Sequence, residues 1–276
     1  MKKILTAFSA MAAAAALYAV DSQDTLAVTG GAKEYTRTAY TITEKFGDYY
    51  RAPAAKYLHV FDDKGHEIES TELTVKDAFV DRLTFTYDEN DRLTTTTSVD
   101  ADGNMLWKII TTYDENGNKA DESEYDAADQ LTSKSIFKYS SKQSEEAYYN
   151  ADGALLGKII TKYDDQNRPV EVNQYEAKGT LEEKRTLSYN DANKLAEIVS
   201  YGSDGLQIKK VVYRFDANYA ITEAQTYNSQ NKLAIRVIYK YDGIGNIAKT
   251  TTYVVAEKFG TTVNELVDIN EYAFKY

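Results

Sequence analysis

The sequence predicts an all-β protein, a long antiparallel β-meander of tandem 26-residue repeats with two hairpin half-repeats each. The expected form is a twisted or rolled single sheet, with a closed barrel as the alternative. Three observations predict it: evenly spaced aromatic residues, a turn-forming residue at a fixed offset after each, and opposite charges that meet when the turns are closed.

Residues 1–19 read as a signal peptide. Lys2 and Lys3 precede an apolar run, Ile4 to Ala19, rich in small residues. Ala14 and Ala16 form a small-x-small cleavage site and Leu17 to Ala19 a weaker one, so the mature chain is expected to begin between Leu17 and Val20. The run is too short to span a bilayer stably. Residues 20–56 break the repeat and are expected to cap its first edge. In them AYTITEKF (39–46) reads as a strand and RAPAAK (51–56) as a connection.

The array occupies residues 57–255. One series of aromatics falls at Phe61, Tyr87, Tyr113, Tyr139, Tyr163, Tyr189, Phe215 and Tyr241, always 26 apart except for the 24 between Tyr139 and Tyr163. A second lies between them at Tyr125, Tyr149, Tyr175, Tyr201, Tyr227 and Tyr253, with Val99 in the earlier slot. Four places after these residues stand Gly65, Asp91, Gly103, Gly117, Asp129, Gly153, Asn167, Gly179, Asn193, Gly205, Asn231 and Gly245. These residue types tolerate positive φ, and the Asp or Asn that opens many of the turns can bond the backbone two residues on. The pattern predicts a four-residue loop on a type I turn ending in the left-handed region.

A four-residue loop fixes the register. It sets Asp121 opposite Lys134, Glu145 opposite Lys158, Glu171 opposite Lys184, Glu197 opposite Lys210 and Glu223 opposite Arg236. Thr95 faces Lys108 at one end, and Lys249 is left without a repeat partner at the other. Directly opposed charges contribute only ~0.2–1 kcal/mol each, so the ladder selects register more than it stabilises. The same parity puts Trp107, Ile109, Phe137, Tyr139, Leu155, Ile159, Leu187, Val211, Tyr213 and Val237 on the opposite face, with Val172 and Ile198 from intervening strands. This face is expected to be buried, with the Tyr113 series on it and the Tyr125 series on the charged face. About fifteen strands at ~4.8 Å would make a sheet about 70 Å wide, which should curl or close. Residues 256–276 are expected to form a C-terminal capping strand region, with a longer connection before the strand EYAFKY.

At YDENDRL (87–93), YDENGNK (113–119), YDDQNRP (163–169) and YDGIGNI (241–247) the chain resembles the YD repeats of RHS-type bacterial surface and toxin-shell proteins. MORN-like hairpin-repeat proteins are a looser resemblance. The YD likeness spans about Phe61 to Tyr253 and implies an extracytoplasmic β-array that, in large members, forms a shell around a toxin or binds surface sugars. Half-repeats such as YSSKQ, YEAKG and YGSDG lack the Asp, and no C-terminal toxin region follows, so the toxin-shell role is not carried over.

Composition narrows the functions further. With 43 acidic and 32 basic side chains the net charge is −11, and no cationic cluster suits nucleic acid. Absence of cysteine removes disulfides, thiolate metal sites and thiol chemistry. The only histidines, His59 and His66, lack a catalytic spacing and are expected to be structural or at the surface. DADGN (100–104) and DENGN (114–118) look like calcium-loop fragments, but no glutamate stands at the twelfth position, so simple turns are expected, with no metal and no cofactor. The expected function is a non-enzymatic exported scaffold, periplasmic, outer-membrane-associated or secreted. It would bind protein or glycan, and touch membrane only peripherally if at all. An outer-membrane β-barrel and an extracellular polysaccharide-active enzyme are the alternatives. Candidate ligand-binding residues are Tyr125, Tyr149, Tyr175, Tyr201, Tyr227 and Tyr253, whose rings could stack on sugars. Shielding of the lysine stems by those rings is the competing role.

Overall fold

Strand-forming runs of Thr, Tyr, Val and Ile, 7 to 15 residues long and separated by turn residues, give a computed structural model that is all-β over the residues it describes, 28–276. The proposed signal peptide lies outside these residues. The first strands are β1 (Glu34–Lys45), β2 (Asp48–Phe61), β3 (Glu67–Leu73), β4 (Phe79–Tyr87), β5 (Leu93–Val99) and β6 (Met105–Tyr113). There follow β7 (Lys119–Asp126), β8 (Leu131–Ser140), β9 (Gln143–Asn150), β10 (Leu155–Tyr163), β11 (Pro169–Glu176) and β12 (Leu181–Tyr189). The last are β13 (Leu195–Gly202), β14 (Gln207–Phe215), β15 (Ile221–Tyr227), β16 (Leu233–Tyr241), β17 (Ile247–Lys258) and β18 (Thr261–Lys275). Each strand bonds to its chain neighbours, and β1 bonds to both β2 and β18. The sheet therefore closes into a barrel, the alternative to an open rolled sheet, and this removes the unpaired edges that an open meander would leave.

Every turn residue named above takes a positive φ, for example 82° at Gly117 and 61° at Asp129. In the turn after Tyr113, Asp114 N–H donates to the Asn118 carbonyl at 2.8 Å and Gly117 N–H to the Asp114 carbonyl at 3.0 Å. Asp114 Oδ1 accepts from the backbone of Asn116 and Asn118 at 2.9 and 2.8 Å. The loop is thus three residues long, one fewer than expected.

A second departure cancels the first. Tyr113 pairs with Lys119, but Thr112 pairs with Asp121, so a one-residue bulge follows the turn. The same shift occurs at Tyr125, Tyr163, Tyr175, Phe215, Tyr227 and Tyr241. A shorter loop alone would flip every side chain to the other face, and the bulge flips it back. The predicted faces therefore survive while the predicted direct pairs do not. Lys134 lies opposite Ser123, and Asp121 opposite Ile136. Thr97, not Thr95, faces Lys108.

The 24-residue step has its own cause. After Tyr139 the chain turns in two residues, with Ser140 paired to Gln143. Two-residue turns also join β1 to β2 and β17 to β18. RAPAAK is therefore part of β2 and not a connection, with Pro53 at the register shift beside Tyr40 where its missing N–H is tolerated. EYAFK, without the terminal Tyr276, is the end of a 15-residue strand reached without a long connection.

The described residues fall into two compact units. In the unit built on Leu83–Thr186, Phe137, Ile159 and Val172 are buried as expected, among Thr111, Ser135, Thr161 and Glu146. Tyr139 and Leu155, assigned to this face, are exposed. The other unit comprises the described residues up to Arg82 with Leu187–Ser200 and Leu206–Tyr276, and Leu187, Ile198, Val211 and Tyr213 are buried there. Its aromatic centre is Tyr35, 1% exposed, stacked on His59 at 4.3 Å and against Phe274 at 5.2 Å. The buried Asn246 ties both ends of the described chain to the turn after Tyr241. It accepts from Thr29 N–H at 2.7 Å and donates to the Tyr276 hydroxyl at 3.0 Å.

Candidate binding surface

The charged face is built by the bulge. Because the register slides by two residues, each acid lies diagonal to its predicted base, close enough for an ion pair. Lys134 reaches Asp121 at 3.4 Å, Lys158 reaches Glu145 at 3.4 Å and Lys184 reaches Glu171 at 2.8 Å in one unit, and Arg236 reaches Glu223 at 2.6 Å in the other. Lys249, expected to be unpaired, lies opposite Glu271 and reaches it at 3.3 Å.

The same slide brings the candidate tyrosines opposite the bases. Lys108 faces Tyr125, Lys134 faces Tyr149, Lys158 faces Tyr175, Lys210 faces Tyr227 and Arg236 faces Tyr253. Ammonium groups stand over three of these rings, at 5.3 Å for Tyr125, 5.8 Å for Tyr175 and 4.9 Å for Tyr227. Tyr201 is half-buried on β13. The tyrosines are thus not bare stacking platforms. Each of Tyr149, Tyr175 and Tyr253 completes a cross-strand row of carboxylate, cation and phenol.

Glu171 is the most heavily bonded member. It accepts from Lys162 at 2.7 Å, from Lys184 at 2.8 Å and from Asn173 at 2.8 Å, and these donors hold its pKa down to about 2. Arg236 likewise lowers that of Glu223. A shallow groove of about 270 Å³ opens beside one row, lined by Glu145, Ala147, Tyr149, Leu155, Lys158 and Glu176.

The remaining chemistry-bearing residues serve the fold. His59 is buried, stacked on Tyr35, with Nδ1 2.6 Å from Glu67 Oε1. His66 closes the turn between β2 and β3, 3.0 Å from Asp62. The carboxylates of Asp100 and Asp114, in the sequences that look like calcium-loop fragments, accept backbone and asparagine N–H groups of their own turns. Hydrogen bonds from Asn104 and Asn118 hold both below the usual carboxylate range. Among the described residues no group of three His, Cys, Asp or Glu side chains is placed to hold a metal ion.

Sequence reasoning overlooked one exposed feature. EKFG occurs twice, at 44–47 and 257–260, and both copies are hairpin tips with fully exposed phenylalanines. The duplicated tetrapeptide was the available signal.

No family model and no curated protein matches the chain. Among solved structures, a porin-like protein from Bacteroides uniformis is similar at TM-score 0.32 and 13% identity, over 90% of this chain and 98% of that one. A DUF1329 family protein from Desulfovibrio piger gives 0.24 and 9%, over 89% and 86%. The Photorhabdus luminescens Tc holotoxin pore gives 0.21 and 13%, over 76% of this chain but 16% of that one. At such TM-scores none of these likenesses transfers a role to this chain.

Proposed function

We propose that the chain is an exported, non-enzymatic repeat scaffold of the bacterial envelope or extracellular space, and that its charged face is a broad contact surface for a protein or glycan. The observation that carries this reading is the recurrence of the carboxylate, cation and phenol row at Tyr149, Tyr175 and Tyr253. The rows of Tyr149 and Tyr175, on β9 and β11 of one unit, lie two strands, about 10 Å, apart. A repeated polar element suits a partner that is extended or itself repeats, such as a polysaccharide or a protein array. Resemblance to YD repeats supports the same extracytoplasmic setting.

Replacing Tyr149 and Tyr175 together by Ala tests it on a glycan array and by pull-down from envelope extracts. Loss of wild-type binding with unchanged thermal stability is the expected result. Equal binding by wild type and variant would remove the rows from the reading.

Closure of the sheet through β1 and β18 favours a second reading, an integral outer-membrane barrel. Opposing it, both faces carry mid-strand charge: Lys158 and Glu171 on one, and Glu146 and Arg185 on the other. A lipid-facing Lys or Arg near the midplane costs about 2–4 kcal/mol. Carbonate extraction separates the two, since an integral barrel stays with the membrane pellet and a scaffold is released.

A further inference from the structure

The two hairpins that flank the β1–β18 closure differ from the rest of the array. Strands β1, β2, β17 and β18 run for 12 to 15 residues, where β3 to β16 run for 7 to 10. Each hairpin ends in a two-residue turn with positive φ at both positions: Phe46 (55°) and Gly47 (85°), then Phe259 (51°) and Gly260 (78°). This is type I′ geometry, whose first position favours Asn, Asp or Gly. A phenylalanine there is unfavourable for the backbone, and at 105% and 106% exposure these two are unfavourable in water as well. The same double cost, in the same EKFG setting, occurs at both tips.

Both tips leave the same end of the β1–β18 pair. β1 pairs with β18 from Glu34 and Lys275 at one end to Thr41 and Asp268 at the other, so both turns project from the second end. Glu44 and Tyr49 of one hairpin act electrostatically on Lys258 of the other. Directly behind the two rings come Lys45 opposite Asp48, and Lys258, which pairs with Glu265. Behind Lys45 and Asp48 lie Tyr49 and Tyr50, 43% and 55% exposed.

We propose that the paired EKFG tips are a peripheral membrane anchor, in which Phe46 and Phe259 enter the interfacial layer of a bilayer while Tyr49, Tyr50, Lys45 and Lys258 sit at headgroup level. Area argues for lipid over a second copy. Two aromatic rings offer roughly 150–250 Å² each, well short of the ~800 Å² per partner of a stable protein interface. The convex apex has charged flanks and no apolar rim to seal one. A phenylalanine apex above tyrosines and lysines is the order of groups found across a membrane interface. Glu44, Asp48, Glu257 and Glu265 outnumber Lys45 and Lys258 around the tips, so the surface suited to them is zwitterionic. The anchor is independent of the charged-face reading, and either can fail alone.

The mature chain is tested by flotation with phosphatidylcholine–phosphatidylethanolamine vesicles, with and without phosphatidylglycerol. The variant is F46N/F259N, in which Asn keeps the turn conformation, and circular dichroism verifies its fold. Wild type should float with the zwitterionic vesicles and gain nothing from the anionic lipid. F46N/F259N should lose at least tenfold in partitioning, and F46L/F259L should retain it. Flotation of F46N/F259N equal to wild type would overturn the proposal. So would a wild-type chain that stays in solution and whose self-association, read by light scattering, is abolished in F46N/F259N.

Discussion

Glu146 offers the sharpest test of how the core is packed. It is 2% exposed on β9, opposite Phe137 on one side and Ile159 on the other. Oε1 accepts from Ser135 Oγ at 2.9 Å, and Oε2 has no partner. Burial pushes its pKa up from 4.5 to about 7, against the Ser135 hydrogen bond. Glu122 on β7 raises it further, while Lys119 lowers it, although the Lys119 ammonium is held by Glu122 at 2.6 Å. The neighbouring phenols of Tyr139 and Tyr148 feel the same carboxylate. A group whose folded pKa is raised leaves stability intact below its unfolded value, near 4.5, and removes it as pH rises through about 7. That shift corresponds to about 3 kcal/mol at the alkaline end. Glu146→Gln keeps the shape and cannot ionise, so it should match wild type at pH 4 and exceed it by about 2–3 kcal/mol at pH 8. Urea unfolding of both proteins at pH 4, 6 and 8 measures this. An advantage that does not grow with pH, or a loss at pH 8, would refute the claim that a buried carboxylate is the destabilising group.

Glu171 has the opposite sign. With its pKa held near 2 by Lys162, Lys184 and Asn173, its stabilisation is present above pH 4.5 and fades as pH falls through about 2. Because its side chain is 21% exposed, screening limits the effect, and Glu171→Gln should cost about 1 kcal/mol at neutral pH and nothing at pH 2, read by thermal melts. Gly157→Ala should destabilise by about 1–3 kcal/mol, because the added methyl would lie 2.5 Å from the Tyr175 carbonyl oxygen and 2.2 Å from the Tyr148 hydroxyl. A neutral result in urea unfolding would mean that the backbone there yields. Tyr219 is 51% exposed with φ at 61°. Tyr219→Asn should therefore stabilise by about 1 kcal/mol, and a lower melting temperature would show packing that its exposure conceals.

How far these features could be read in advance depends on how local their causes are. Positive φ at Gly117, Asp129 or Asn167 follows from residue type and an offset from an aromatic and was legible, whereas at Tyr219, Phe46 and Phe259 the residue type gives no such signal. The bulge after each turn was not. Its extra residue, such as Ala120 between Lys119 and Asp121, has no distinguishing chemistry, and it arises because strand twist must be matched across a three-residue loop. Legibility of the charged face survived because two unforeseen one-residue changes, the shorter loop and the bulge, add to a slide of two, which restores the parity. Asp121 and Lys134 were expected face to face and meet diagonally. That same slide, which nothing local announces, sets Lys158 directly against Tyr175 and joins the row of rings to the charges in one mixed polar surface.

Tyr139 shows how one turn can move a residue out of its class. Its repeat position is that of Tyr113 and Tyr241, whose hydroxyls donate to the carbonyls of Leu93 and Ile221 at 2.8 Å, each the first residue of its strand. In those hairpins the aromatic sits beside a three-residue loop and reaches across to the neighbouring strand. After Tyr139 the chain reverses in two residues, and its ring is left 45% exposed. The lost pair of residues was visible as the 24-residue step, but only the pairing of Ser140 with Gln143 says which turn absorbed it. Closure is the limiting case of this non-locality. Tyr35 on β1 meets Phe274 on β18 across 239 positions of sequence, and no periodic signal spans that distance. The two strands instead carry breaks in the 26-residue pattern, and read one at a time those breaks suggest caps. Read as partners they are the seam of the barrel, and the duplicated EKFG tips mark its end.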